Sequence, residues 1–515
     1  MADAPLILGV SGLRGIVGES LTPEVAVRYA GAFGEWLRDR IGGARRPQVV
    51  IGRDGRVGGE AVQLAVESAL LGTGCSVWST GVAMTPSVGV AVDTMGFDAG
   101  MVITASHNPQ QWNGIKLLVR ERSWDRESMQ DGRGEVSSSH ANVCAPNARQ
   151  ANQIINGFQG ERFVWRAWDA LGKSDWTCDS NAQHCLLVKR AIESTIGRSW
   201  HAMMADGAVR RCVSDSVNSS GGSVSRDFFA RGVVELVQLH ASDSGIFPHT
   251  PEPTAENLSG EGGLCDAVPG LKADVGFAQD PDADRLAIVD EHGRYIGEEY
   301  TLVLCAQALL RDRGADEPTA HLVANLSTSR MIDDVAAKHG AVVHRTAVGE
   351  ANVVERMKAL KAEGHEVVLG GEGNGGVIWP EVVYVRDSLG SMALVLSLMA
   401  RTGKTVSELV AEIDALAAGG AGYAIVKRKV EIASKADAKP AVQAVARAYA
   451  SERVDRQDGV RVDFEGGEKA GKWAGSWVHV RASNTEPIMR VIVEAPTAEA
   501  AGALADEVGR VIAAG

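Results

Sequence analysis

The sequence has no uninterrupted apolar run of the roughly 18 residues that a membrane-spanning helix needs, so no span is expected. It also has no basic excess. A formal net charge of −13 argues against a broad nucleic-acid-binding face or an anionic membrane surface as partner, while local arginines could still hold a small anion. No basic segment precedes the short apolar run after Met1, so no secretory signal is read and the cytoplasm is the expected compartment. The seven cysteines, Cys75, Cys144, Cys178, Cys185, Cys212, Cys265 and Cys305, form no CxxC pair. They need no disulfide framework, and buried or incidental thiols are expected.

What is present is an ordinary globular composition, 45% hydrophobic and 23% charged, in a chain of 515 residues that is too long for one core. Three or four domains are expected. Residues 6–118 alternate apolar runs (48–52, 101–103) with helical spacing (23–38, 59–71), the pattern of α/β units with a largely parallel sheet. From 121 to about 205 the period fades, and only 163–171 and 186–196 read as short helices. That stretch reads as an insertion, a diverged region or a locally frame-shifted translation. Order returns with strands expected at 233–239, 273–278, 286–289, 321–326, 342–344 and 366–369, and helices at 299–310, 353–360 and 391–399. The tail, with alternating runs near 424–430, 477–480 and 489–494 and an alanine-rich helix at 498–513, reads as a small α+β domain.

Five loops carry chemistry. TASHNPQQWNGIK at 104–116 follows an apolar strand, and the Asn108-Pro109 turn should hold the Ser106 hydroxyl, with His107 beside it, clear of regular structure. SGLRG at 11–15 reads as a glycine-flanked loop presenting Arg14. Each of these alone is equally a surface turn. Asp280, Asp282 and Asp284 stand at i, i+2 and i+4 after a strand, so in extended backbone their carboxylates would converge on one hard cation. Mg²⁺ suits the set if a phosphate supplies a further oxygen. A calcium EF-hand with Glu291 at its twelfth position is opposed by Arg285, which stands where that loop needs glycine, and by the strand expected at 286–289. A plain acidic turn is the remaining reading.

GGEGNGG at 370–376 formally contains a dinucleotide pattern, but Glu372 would face the pyrophosphate and the following VIWP opens no helix. Glu372 and Asn374 in a glycine-rich loop suit hydroxyl recognition instead. RASNTEPIMR at 481–490 combines Arg481, Ser483, Asn484, Thr485 and Arg490, a donor set for a phosphate dianion, or else an Asn-Thr turn with exposed arginines.

Taken together, and in this order along the chain, SGLRG, TASHNP, DPDADR, GGEGNGG and RASNTEP resemble the α-D-phosphohexomutase family. The resemblance implies four domains around a central cleft: three α/β mixed-sheet domains of like topology and a smaller C-terminal α+β domain. On it the domains are placed at 1–160, 161–297 with 161–205 irregular, 298–420 and 421–515. It implies that Ser106 carries a phosphoryl group, and that Asp280, Asp282 and Asp284 hold Mg²⁺ with the serine phosphate. Arg14 and Arg285 would steady the transferring group, and His107 and Lys116 would assist proton movement or charge balance. Glu372 and Asn374 would read sugar hydroxyls, and Arg481, Ser483, Asn484, Thr485 and Arg490 would anchor the phosphate that is not reacting. The implied reaction interconverts hexose or hexosamine 6-phosphate and 1-phosphate through a sugar 1,6-bisphosphate, which also acts as activator.

Glucosamine phosphate is the first-choice substrate, mannose or glucose phosphate the alternative, and a catalytically inactive sugar-phosphate-binding homologue the rival from another class. The expected partner is a small phosphosugar, and the expected state is a monomer or homodimer. Asn374 and Gly376 stand where many members of that family have Ser and His, which leaves the general base without an assigned residue.

Overall fold

The computed structural model describes residues 5–43, 45–120, 143–175, 178–230, 232–314, 316–417, 419–483 and 487–514. They form two compact units. One comprises Met1–Leu309, Val368–Gly370 and Gly375–Val406, and the other Leu310–Val367, Gly371–Asn374 and Ser407–Gly515.

The first unit holds two mixed sheets. The larger runs in the order Ile7–Gly9, Gly12–Ile16, Trp112–Arg120, Ala99–Ile103, Gln48–Arg53, Ser76–Val82 and Ser174–Asp175, with Val143–Cys144 beside Trp112–Arg120. Its centre is parallel, Ala99–Ile103 against Gln48–Arg53, so both strands deliver their carboxyl ends to one edge. Helix Pro23–Ile41 begins where the Thr22 hydroxyl accepts from the Val25 N–H, with proline in the first turn, and stops at Gly42 in left-handed conformation. This capping carries it a turn beyond what apolar spacing predicts. The second sheet runs Glu235–Leu239, Arg211–Asp215, Val275–Gln279 and Leu286–Val289, parallel except for its last pair.

The weakly periodic stretch departs from expectation. Residues 121–142 lie outside the described residues, but Ala148–Gln159, Ser180–Ile196 and Trp200–Ala205 are helices. Side-chain caps from Asn147, Asp179 and Ser199 define their starts. Only a few apolar positions per helix are needed: Ile154 and Phe158 already join the first core. The helix expected at 163–171 is absent. Its aromatics instead lie on surfaces left bare by glycine, Phe163 over Gly31 and Trp165 over Gly72, and the segment ends by adding Ser174–Asp175 to the sheet. Helix Ser388–Thr402 is buried on every face through Met399, as its near-continuous apolar run requires.

In the second unit Ala320–Asn325 and Val342–Thr346 pair in parallel. The C-terminal sheet is antiparallel, in the order Ala424–Glu431, Ile488–Ala495, Trp477–Ala482, Val460–Asp463, Arg453–Asp455. Val478, Val480, Val491 and Val493 point to one face and meet helices Ala438–Ala448 and Ala498–Ala514 in a common core. Among the described residues no helix is long and apolar enough to cross a membrane. All seven cysteines are free and six are buried.

Candidate active site

Ser106 sits just past the carboxyl end of Ala99–Ile103, at φ +51 with 1% exposure. A non-glycine residue in that region costs on the order of 1–3 kcal/mol and persists only where its surroundings hold it. Here they do. Thr104 Oγ1 accepts from the Ser106 N–H at 2.9 Å and donates to Asp54 Oδ2 at 2.7 Å. The Arg56 guanidinium, fully buried, donates to the Ser106 carbonyl at 2.5 Å and to Asp54 at 2.9 Å. Sequence reasoning passed over Asp54 and Arg56. The available signal was GRDGR at 52–56, a charged run directly after a strand, the same pattern that flagged the aspartates.

Two expectations about local structure are corrected. Arg14 lies on strand Gly12–Ile16 and not on a loop: Gly12 adopts φ +108 and lies against the Ile115 carbonyl, where a Cβ would be 2.0 Å from oxygen. Likewise regular structure resumes at Trp112, so Lys116 is held on a strand opposite Val102. From there Arg14 donates to Asn108 Oδ1 at 2.7 Å, bracing the serine turn.

The aspartates converge, but not through extended backbone. They occupy a turn, with Ala283 at φ +53, in which Asp280 Oδ1 accepts the N–H groups of Asp284 and Arg285, both at 3.1 Å. All three carboxylates are fully buried, with donor atoms within 4.8 Å of one another. The Ser106 hydroxyl donates to Asp280 Oδ2 at 2.8 Å, joining serine and triad. Lys116 Nζ lies 2.5 Å from Asp282 and 2.7 Å from Asp284, Thr85 Oγ1 donates to Asp282 at 2.6 Å, and Arg386 donates to Asp284 at 2.6 Å. Arg285 is 3.9 Å from Asp284. Thr85 and Arg386, which carry no motif signal, are further residues of this centre. Asp387, the residue after Arg386, accepts from the buried His184 of helix Ser180–Ile196 at 2.9 Å, so a helix of the weakly periodic stretch holds the segment that carries Arg386.

Burial and the two neighbouring carboxylates push Asp280 well above the usual carboxylate range. Asp284 moves the opposite way: burial opposes ionisation, but Arg386, Lys116 and Arg285 hold it ionised. Burial, followed by Arg285 and Arg14, holds His107 down at about 2, so its ring is neutral near neutral pH; its Nδ1 is 3.4 Å from Ser106 Oγ. Among the described residues, Asp282 Oδ1 and Asp284 Oδ1 are buried acceptors that receive no hydrogen bond. Such oxygens, beside a carboxylate whose charge is poorly tolerated, fit a hard divalent cation.

The recognition residues lie in the second unit. Glu372, the last residue of strand Glu366–Glu372, is 4% exposed, and its Oε1 accepts from Asn325 Nδ2 at 2.8 Å and from the Gly349 N–H at 3.1 Å. Asn374, half-buried, follows in the turn between two buried glycines. Arg481 and Arg490 are direct cross-strand partners, and Lys429 on the next strand pairs with Arg490. Three cations in one row repel unless an anion lies over them. Asp458, 3.2 Å from Arg481 Nε, offsets part of this charge and also accepts the Val348 N–H, tying the arginine to the segment that holds Glu372. Ser483 is buried and its N–H bonds the Ile488 carbonyl; Asn484 and Thr485 lie outside the described residues. Lys429 escaped sequence reasoning because strand pairing, not spacing, brings it alongside.

His479, on the same strand as Arg481, has its ring between Ser327 Oγ at 2.8 Å and the Asp458 carbonyl at 2.6 Å. Burial, with Arg461 and Arg481 nearby and against the pull of Asp458, holds it down at about 4. Because its folded pKa is depressed from the ordinary 6.5, the unfolded chain takes the proton first as pH falls. Stability is therefore intact above about pH 6.5 and declines between there and about 4. His479→Gln should flatten that decline, read as denaturation midpoints across a pH series.

The chain matches four consecutive descriptions of phosphoglucomutase/phosphomannomutase: α/β/α domain I over residues 5–127, domain II over 205–293, domain III over 298–416 and the C-terminal domain over 426–511. It is 36% identical over 499 residues to a "Phosphoglucomutase/phosphomannomutase" of Thermococcus kodakarensis, covering 96% of each chain. It is 35% identical over 503 residues to a "Probable phosphoglucosamine mutase" of Methanopyrus kandleri, covering 97% of this chain and 96% of that one. In fold it is similar to the crystal structure of a phosphoglucomutase/phosphomannomutase family protein from Burkholderia thailandensis, with TM-score 0.72 and 23% identity over 99% of this chain and 98% of that one.

Proposed function

We propose, from the premise that the chain belongs to the phosphoglucomutase/phosphomannomutase family, that it interconverts hexosamine or hexose 6-phosphate and 1-phosphate, with glucosamine phosphate as preferred substrate. The observation that carries this reading is the Ser106 hydroxyl at 2.8 Å from Asp280, held on a strained turn whose carbonyl is bonded by Arg56. The name of the Methanopyrus kandleri relative supports the choice of sugar.

In this reading Ser106 Oγ bears a phosphoryl group in the resting enzyme. The C1 hydroxyl oxygen of a sugar 6-phosphate attacks phosphorus, the P–Oγ bond breaks to leave a 1,6-bisphosphate, and the C1 hydroxyl proton ends on the departing Ser106 Oγ, which becomes a free hydroxyl. After the sugar turns end over end, Ser106 Oγ takes the 6-phosphoryl group and the 1-phosphate departs. Arg14 and Arg285 balance charge on the transferring group, and Lys116, placed between two aspartates, exchanges its ion pairs as that charge moves. His107, neutral, offers a hydrogen bond at Oγ without adding charge. Asp280, Asp282 and Asp284 would hold Mg²⁺, which when bound neutralises developing phosphoryl charge. Glu372 and Asn374 select the sugar by its hydroxyls, and the Arg481–Arg490–Lys429 row with Ser483, Asn484 and Thr485 anchors the idle phosphate.

The test is incubation with Mg²⁺, a trace of sugar 1,6-bisphosphate and, separately, glucosamine, mannose and glucose 6-phosphates. The 1-phosphate should form fastest from glucosamine. Preference for mannose or glucose would overturn the substrate, and no 1-phosphate from any would overturn the enzyme. Arg490→Met should raise KM by roughly 10- to 100-fold, the worth of a charge-assisted contact of about 1.5–3 kcal/mol. Lys429→Met should act in the same direction, more weakly. An unchanged KM in both variants would remove the row from substrate binding.

A further inference from the structure

A second group of metal-ligand type stands in the first unit, apart from the aspartate turn. Asp215 ends strand Arg211–Asp215, and its parallel neighbour Glu235–Leu239 sets Leu239 opposite it, so His240 follows directly beyond that edge. His249 comes from the loop after that strand. One donor atom from each of Asp215, His240 and His249 lies within 4.8 Å of the others. The Asp215 side chain is 1% exposed, while those of His240 and His249 are 30% and 19% exposed, so the cluster is rooted in the fold and open to solvent at one side.

The hydrogen bonds around it are directional. Asp215 Oδ1 is taken by the Val217 N–H at 3.0 Å, which leaves Oδ2 as the convergent atom, 2.9 Å from His240 Nδ1 and 3.0 Å from His249 Nε2. His249 Nδ1 faces the Thr250 carbonyl at 2.8 Å and must carry a hydrogen to bond it. In a neutral ring that leaves the Nε2 lone pair aimed at a carboxylate oxygen, a repulsion relieved either by a proton on Nε2 or by a cation held between the two groups. Fixing an imidazole's outer N–H on a backbone carbonyl, so that its other nitrogen faces a ligand position, is how metal-bound histidines are oriented. His240, at φ +46 without being glycine, keeps a left-handed backbone that directs its ring to the same point.

We propose that Asp215, His240 and His249 bind one transition-metal cation of the Zn²⁺ class, with a fourth position left to water. Two imidazoles and one carboxylate favour such an ion over Mg²⁺ or Ca²⁺, which take oxygen ligands. The ion clamps the 240–249 loop, and that loop backs the serine turn. The Gly245 carbonyl accepts from Gln110 Nε2 at 3.0 Å, the Phe247 N–H donates to Gln110 Oε1 at 2.7 Å, and the Phe247 ring lies under Arg56, whose guanidinium holds the Ser106 carbonyl. On the other side, Ser219 and Ser220, shortly after Asp215, donate to the Pro281 carbonyl within the aspartate turn at 2.7 and 2.8 Å.

Cobalt(II) is the probe, titrated into the full chain in excess Mg²⁺. The wild type and Asp282→Asn should both develop the visible absorption of four-coordinate Co²⁺ at one equivalent, displaced by Zn²⁺. His240→Gln and His249→Gln, with circular dichroism unchanged, should weaken Co²⁺ binding by at least ~10-fold. No band in the wild type, or a band that survives in both histidine variants, would overturn the site and leave His249 as a protonated partner of Asp215. Hydrogen exchange at the Phe247 amide should slow on Zn²⁺ addition; an unchanged rate would overturn the clamp.

Discussion

Ser106→Ala should lower kcat by roughly 10⁴-fold or more, about 5.5 kcal/mol of barrier, while sugar-phosphate binding stays within a few-fold of wild type. The expectation rests on what the substitution removes. The hydroxyl is the group that would be phosphorylated, whereas the turn is held by contacts alanine leaves in place: the Ser106 N–H to Thr104, and its carbonyl to Arg56. Arg14 remains braced on Asn108, and the triad keeps its Lys116 and Arg386 ion pairs. Titration calorimetry with a sugar 6-phosphate beside steady-state kinetics separates the two effects. Equal loss of binding and turnover would make Ser106 a structural residue of the turn.

Asp280→Asn should abolish Mg²⁺-dependent turnover, by roughly 10³-fold or more, and at the same time make the metal-free protein more stable. Asp280 carries a poorly tolerated charge, because burial and the carboxylates of Asp284 and Asp282 all oppose it. An asparagine keeps the oxygen that accepts the Asp284 and Arg285 N–H groups, and so keeps the turn. It removes a repelling charge that Arg285 and Lys116 offset only in part, Lys116 being paired with Asp282 and Asp284. A gain of roughly 0.5–2 kcal/mol, the scale of single stabilising substitutions, is expected. Thermal melts without metal and with Mg²⁺ read it: the variant should melt higher than wild type without metal and lose the wild type's response to Mg²⁺. A lower metal-free melting temperature would mean that the Asp280 charge holds the turn together.

Much of this was legible in the sequence where one physical cause acts alone. The helix Glu299–Leu310 and the strand Leu286–Val289 follow directly from apolar runs and end where those runs end. The aspartate turn was found for a partly mistaken reason: spacing suggested extended backbone, whereas carboxylate-to-amide bonds from Asp280 build the turn that makes the side chains converge. Asp54, Arg56, Thr85 and Arg386 were missed because their proximity to the serine and the triad comes from strand order and from packing of segments far apart in the chain. Lys429 was missed because a cross-strand neighbour carries no trace in local spacing. Within 143–205 the helices are legible mainly through their caps, since Ile154 and Phe158 supply much of the apolar face of Ala148–Gln159.

The central claim is that Ser106 is a phosphoryl carrier, and intact-mass analysis with peptide mapping tests it most directly. Protein incubated with a sugar 1,6-bisphosphate should carry one phosphoryl group on the peptide that contains Ser106, and sugar 6-phosphate should discharge it as bisphosphate. A chain that takes up no phosphoryl group, or takes it on another residue while remaining active, would contradict the account.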